Sequence, residues 1–315
     1  MILENVDNYE DWNIPEVNGL QPEFLANVTR LMELAAESNL EIYWTILSGG
    51  NYFKQPNGHH QWALKKMLEH PKYRNRFIER ALLPFLQILQ PFRNNVYAID
   101  LINEPEGFFC WNNDFTLGLH DLFNWPQRIS YPPRLEEFAL DYIRLASNAV
   151  KRNFSEFKVS VGFRSRSTIQ SNISALNPQL DFFDFHYYDR YSLDPDSFPI
   201  FGEKPTIIGE LGYMSLTFSF TPDDREQQDA VDGIIGDAID RNFRGCLVWM
   251  YTPHSTSVDR NNLLESNGYN PDGDEAARAA YLDSFNRNPD DHWRPVRQKI
   301  INWGEEIERR NSRRP

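Results

Sequence analysis

Two glutamates stand at the ends of apolar runs. Val96-Tyr97-Ala98-Ile99-Asp100-Leu101-Ile102 leads into Asn103-Glu104-Pro105-Glu106, and Pro205-Thr206-Ile207-Ile208-Gly209 leads into Glu210. If both runs are buried strands of a parallel barrel, their ends converge on one face, so two residues distant in sequence can stand side by side there. A facing pair of carboxylates about 5 Å apart is the minimal equipment for breaking a glycosidic bond with retention of configuration. Glu106 is the weaker candidate for a proton donor, because it lies beyond Pro105 and points into the following loop.

Other elements must position such a pair. Short apolar runs recur at Glu41 to Leu47, Val96 to Ile102, Lys158 to Phe163, Phe182 to Tyr188, Thr206 to Leu211 and Cys246 to Thr252, with helical stretches between them. That rhythm predicts a parallel sheet covered by helices. Pro22 suits the first turn of a helix carrying Phe24, Leu25, Val28, Leu31, Met32 and Ala35 at helical spacing. Leu135 to Val150 and Val231 to Ile239 show the same period, and Pro295 to Ile307 reads as a terminal helix. With Met1 to Leu3 as the stub of an earlier strand the count reaches seven, one short of the eight that close such a barrel. The expected fold is therefore α/β, a TIM (β/α)8 barrel lacking its first one or two βα units. Residues 1–315 are read as a single domain, incomplete at the amino end.

Strand alternation sorts the side chains further, because residues two apart share a face. On the run Phe182 to Tyr188, Asp184, His186 and Tyr188 fall on one side and Phe183, Phe185 and Tyr187 on the other. The aromatic set is expected to pack on helices and the polar set to face the barrel interior. The same rule groups Asp100 with Glu104, Ile208 with Glu210, and Trp249 with Tyr251.

Composition limits the partners. A hydrophobic fraction of 41% with 24% charged residues fits a globular core, and a net charge of −13 disfavours phosphate backbones and anionic lipid. A neutral polymer carries no such penalty. No apolar run reaches the roughly 20 residues of a membrane span, and the first residues show neither a basic leader nor a long apolar segment. The compartment is therefore left open. Cys110 and Cys246 fall at opposite ends of strands, too far apart for a bridge, so two free thiols are expected. No metal-ligand cluster, phosphate-binding glycine loop or Ser-His-Asp order stands out, so neither metal nor cofactor is expected.

The long segment from Gly107 to Pro133 carries Phe108, Phe109, Trp111, Phe115, Phe123, Trp125 and Tyr131. Rings of this kind stack on the apolar faces of sugars at little cost in conformational freedom. Asn103-Glu104-Pro105, His186-Tyr187-Tyr188, the Ile-Gly-Glu-Leu-Gly run at 208 to 212 and Val248-Trp249 together resemble the clan A glycoside hydrolases. Within that clan the pattern is most similar to glycoside hydrolase family five, the cellulase and β-mannanase family, over Leu20 to Thr252.

The resemblance implies a retaining hydrolase of β-linked glucan or mannan, with Glu104 as general acid/base and Glu210 as nucleophile. It also implies that Asn103 holds the sugar 2-hydroxyl, that Tyr188 donates a hydrogen bond to Glu210, and that His186 lines the cleaved subsite near the acid/base. Trp249 would form the stacking floor and Trp111 would add a sugar-binding ring. An oligo- or polysaccharide is the expected partner, and a monomer the expected state. Two departures stand out. The family's Arg on the second strand has no counterpart in Met1-Ile2-Leu3, and its His at the end of the third strand is missing from Trp44 to Gly50, with His59 and His60 lying downstream. A non-catalytic carbohydrate-binding relative or inactive fragment, and an exo-acting β-glycosidase on glycoconjugates, stay open as alternatives.

Overall fold

The computed structural model describes residues 19–49, 67–105, 135–164, 166–187, 204–212, 224–248 and 296–312. The chain divides into two compact units, Met1–Phe185 and His186–Pro315.

The first unit opens with helix α1 (Pro22–Glu37), whose first turn accepts Pro22 because that position needs no hydrogen-bond donor. Val28, Met32 and Ala35 form its buried stripe. The helix stops at Asn39, which takes the left-handed backbone conformation at φ 51°, and the Leu40 N–H returns to the Ala35 carbonyl at 2.8 Å. Strand β1 (Ile42–Thr45) follows, and it pairs in parallel with β2 (Val96–Asp100) from Ile42 opposite Val96 to Thr45 opposite Asp100.

Between those strands lies a helical run, expected in this gap but without bounds. It comprises α2 (Pro71–Phe77), a π-turn over Ile78–Leu82, α3 (Leu83–Leu89) and a 3₁₀ turn over Gln90–Asn95. Pro84 sits at the second position of α3 and has no N–H to give. The wider turn before it absorbs the mismatch: the Leu83 N–H reaches back five residues to the Ile78 carbonyl. Phe77, Ala81, Leu82, Phe85, Leu86 and Leu89 are fully enclosed along this run.

The segment expected as one strand from Lys158 to Phe163 is two short ones. Strand β3 (Val159–Ser160) pairs in parallel with β2, and β4 (Gly162–Phe163) pairs in parallel with the start of β5 (Phe183–Tyr187). Val161 between them belongs to neither. Helix α4 (Leu135–Asn153) covers this region through Ala139, Tyr142, Ile143, Ala146 and Val150. Short helices α5 (Arg166–Ser171) and α6 (Ile173–Leu176) connect β4 to β5. Parallel neighbours that follow chain order and are joined through helices are the wiring of a barrel.

One charged pair ties the helices of this unit together. Arg74 on α2 is buried, donating to the Leu68 carbonyl at 2.8 Å and to Asp141 Oδ2 of α4 at 2.6 Å. Replacing Arg74 by methionine should cost about 2–3 kcal/mol, below the 3–5 kcal/mol of a fully buried pair. The discount arises because Asp141 is partly exposed and keeps Arg144 at 2.5 Å. Urea unfolding of the two proteins measures it, and a loss under about 0.5 kcal/mol would place this contact among ordinary surface pairs.

In the second unit, β6 (Thr206–Leu211) pairs in parallel with β7 (Gly245–Val248), Ile207 opposite Gly245 and Leu211 opposite Val248. The end of β5 reaches the same place, since the Gly212 N–H donates to the Tyr187 carbonyl at 3.3 Å. Helix α7 (Asp224–Asp240) buries Val231, Ile234, Ile235 and Ala238. Helix α8 (Val296–Ser312) packs on α7, with Trp303 Nε1 donating to Asp232 at 2.7 Å. Gly236 of α7 meets the Trp303 ring, so the helices approach closely at this point. Among the described residues no helix is long and apolar enough to cross a membrane.

Candidate active site

Glu104 belongs to the first unit and Glu210 to the second. Beyond β2 the backbone ladder continues as single bonds toward Glu104. The Asn103 N–H donates to the Leu47 carbonyl at 2.9 Å, the Gly49 N–H to the Asn103 carbonyl at 2.6 Å, and the Glu104 N–H to the Gly162 carbonyl at 2.6 Å. Asn103 also bridges Ser48 in parallel. Asn103 and Glu104 thus sit at the carboxyl end of a parallel strand, half-buried, with both neighbouring segments holding their backbone. That is the end at which barrels build their sites.

Glu104 is bent out of the strand. Its φ is 48°, in the left-handed region that a residue with a Cβ occupies only at some cost. Gly49 makes room for the bend, since a Cβ on Gly49 would come to 2.4 Å of the Glu104 carbonyl oxygen and 2.8 Å of Pro105 Cα. Both are backbone atoms, so the fit requires glycine.

Beneath this turn the strands carry buried polar groups. Asp100 is 1% exposed, and its Oδ1 accepts from the Ile102 N–H at 3.1 Å and the Gly162 N–H at 3.0 Å. Its Oδ2 accepts from the Thr45 hydroxyl at 2.9 Å. Asp184, equally buried, accepts from the Tyr43 hydroxyl at 2.7 Å. Burial first, and then the charges of Asp184 and Asp100, hold the Tyr43 hydroxyl well above its ordinary value, so it stays a donor. The alternation rule had grouped Asp100 with Glu104 and Asp184 with His186, but Tyr43, Thr45 and Gly49 were not singled out. Tyr43 and Thr45 lie two apart on β1, which is the signal that could have found them.

In the second unit Glu210 lies on β6, its neighbours Gly209 and Leu211 buried and its own side chain 17% exposed. His186, 2% exposed in its side chain, stands with Nδ1 3.4 Å from Glu210 Oε2. When that nitrogen carries a proton it can donate to the carboxylate. His186 is thus a direct neighbour of Glu210. Tyr188, Trp249 and Trp111, together with His59, His60 and Cys110, lie outside the described residues. Cys246 is a free cysteine whose thiol burial pushes up to about 12, which leaves it protonated and unreactive at neutral pH.

No family model matches the chain, and no curated protein matches it. Solved structures do. The β-mannanase of the blue mussel Mytilus edulis superposes with a TM-score of 0.54 and 19% identity, over 79% of this chain and 72% of that one. The β-1,4-mannanase of the sea hare Aplysia kurodai gives 0.52 and 17%, over 74% and 70%. The β-1,4-D-mannanase of Cryptopygus antarcticus gives 0.53 and 18%, over 75% and 67%. At such identities the likeness speaks for the fold, and the fold is an α/β TIM barrel. The resemblance to clan A glycoside hydrolases read from the strand-end motifs therefore holds at the level of architecture.

Proposed function

We propose that the chain is a retaining β-glycoside hydrolase that cleaves a β-linked polysaccharide, a glucan or a mannan, through a covalent glycosyl-enzyme. The observation that carries this reading is the placement of Glu104 and Glu210, each at or next to the carboxyl end of a parallel strand in a barrel fold. Because both are glutamates on such ends, one carboxylic acid can protonate the leaving oxygen while the other carboxylate attacks the anomeric carbon. Glu104 is the acid, and after departure of the leaving group it takes a proton from the water that releases the sugar from Glu210.

The two environments suit those roles. Glu210 has the His186 ring nitrogen at 3.4 Å, a group that can donate a hydrogen bond to its carboxylate when that nitrogen carries the proton. Glu104 is half-buried at a turn with its backbone fixed, as a proton donor must be to reach one oxygen. Asn103, Tyr188, Trp249 and Trp111 would hold and stack the sugars, as the family resemblance implies.

The three neighbours named are β-mannanases, which makes a soluble β-mannan the first substrate to assay and a β-glucan the second. Proton NMR of the anomeric signals at the onset of hydrolysis tests the mechanism. The β-anomer should appear first and convert slowly to the equilibrium mixture. Early α-anomer would replace retention by inversion, and hydrolysis of neither polymer nor any aryl β-glycoside would remove the hydrolase reading.

A further inference from the structure

The bend at Glu104 needs an explanation, because nothing in the run of β2 requires the chain to leave extended geometry there. Strand pairing fails at the same level. Val161 interrupts the segment beside β2, so β3 pairs up to Ser160 and β4 resumes at Gly162 with a different neighbour. An interrupted ladder leaves buried backbone N–H groups that must find acceptors. Asp100 supplies one. A single carboxylate oxygen accepts both from Ile102, two residues along its own strand, and from Gly162, across the break. The freed Gly162 carbonyl then takes the Glu104 N–H at 2.6 Å.

We propose that Asp100 is a positioning residue for Glu104: its carboxylate splices the β3–β4 break and so fixes the left-handed turn that aims Glu104 into the site. Two further contacts hold the splice. Thr45 donates to the other oxygen of Asp100 from β1, which orients the carboxylate. From the helix side Tyr142 of α4, fully buried, donates its hydroxyl to the Leu101 carbonyl at 3.2 Å. The strand end is thereby anchored on both faces between Asp100 and Glu104. Gly49 completes the device by leaving space for the displaced Glu104 carbonyl.

The inference rests on the assignment of Glu104 as acid/base, and it dictates a signature that a general loss of stability does not share. A sugar leaving group needs a proton as it departs, whereas a 2,4-dinitrophenolate does not. Displacing the acid by about 1 Å should cost about 10²-fold in kcat on a soluble β-mannan or β-glucan. The loss on a 2,4-dinitrophenyl β-glycoside in the glycosylation step should stay below about fivefold. D100A should show this split. D100N should recover most of the glycan activity, because the amide oxygen keeps the two N–H bonds and the amide nitrogen can donate to the Thr45 hydroxyl. If D100A fails to fold, Gly49→Ala carries the same test, since its Cβ must push the Glu104 carbonyl away.

Amide exchange followed by NMR supplies an arm that does not depend on activity. In D100A the amides of Ile102 and Gly162 should exchange at least about tenfold faster, while that of Ile99, bonded to the Lys158 carbonyl, stays protected. Equal losses on both substrates, D100N as impaired as D100A, or unchanged exchange at Ile102 and Gly162 would each overturn the proposal. A wild-type protein that cleaves neither substrate would instead defeat the hydrolase reading, with the exchange arm still deciding whether Asp100 holds the turn.

Discussion

Glu210→Ala should reduce hydrolysis by at least about 10⁴-fold, the scale on which removal of a covalent nucleophile acts, and added azide should restore part of the rate. The reason lies in what the carboxylate does. It forms a bond to the anomeric carbon on the face opposite the leaving group, so its loss removes a reactant rather than a contact. Azide is small enough to enter the space left by the side chain and attack from the same face. One displacement inverts configuration, so the product should be an α-glycosyl azide. Glu104→Ala makes the contrast: with an activated aryl glycoside the glycosyl-enzyme still forms on Glu210, azide then attacks from the opposite face, and the product should be a β-glycosyl azide. Exchange of the two stereochemical outcomes would swap the roles of the residues. Absence of rescue in both, with folded proteins, would exclude the covalent mechanism.

The parts of this molecule that were legible in the sequence are those where one local rule acts alone. Thr206 to Leu211 carries a β-branched run, Thr206-Ile207-Ile208, and is bounded by a proline and a glycine, and β6 has those bounds. Pro22 marks the first turn of α1, and the 3.6-residue period from Leu135 to Val150 marks α4, which begins at Leu135. The bounds of the helical run from Pro71 to Leu89 were hidden by its prolines. Pro84 reads as a breaker, yet the π-turn over Ile78–Leu82 lets the chain pass it with the buried stripe intact. Buried Phe77, Ala81, Phe85 and Leu89 recur every four residues, so the period was present.

The site shows the same division. Asn103, Glu104, His186 and Glu210 could be nominated because a strand-end motif places a polar residue where apolar residues stop. The duty of Asp100 was not legible, because it answers a break in the neighbouring segment, and Lys158 to Phe163 has the composition of an unbroken strand. A carboxylate that accepts from backbone across such a break is a tertiary feature. Gly49 escaped notice for a related reason. Its glycine is required by the carbonyl of Glu104, a residue 55 positions away in the chain, and not by its own turn.

Phe85→Ala should lower stability by about 3–5 kcal/mol, near the top of the range for truncating a buried aromatic. Phe85 is fully enclosed on α3 and joins three elements: its ring stacks on Phe24 of α1 at 6.2 Å and meets Trp44 of β1 edge-on at 5.1 Å. The space it leaves can collapse only if α1 moves. That helix has little of its own to hold it, for Gln21 provides no side-chain cap at its start and its last turn has no basic residue. Most of its ordering therefore comes from the inner face. Loss of Phe85 should release α1 along with the cavity term, so the midpoint of urea unfolding falls and amide protection in Pro22–Glu37 falls further than in α4. The double variant with Phe24→Ala should cost less than the sum of the two single losses, because both remove one stacked pair. The rate of glycan cleavage per folded molecule should stay near that of the parent, since the ring lies in the helix layer of the first unit, away from Asn103 and Glu104. A loss below about 1.5 kcal/mol would mean that Phe85 packs at a site able to close around smaller side chains, and that α1 is held by something other than this cluster.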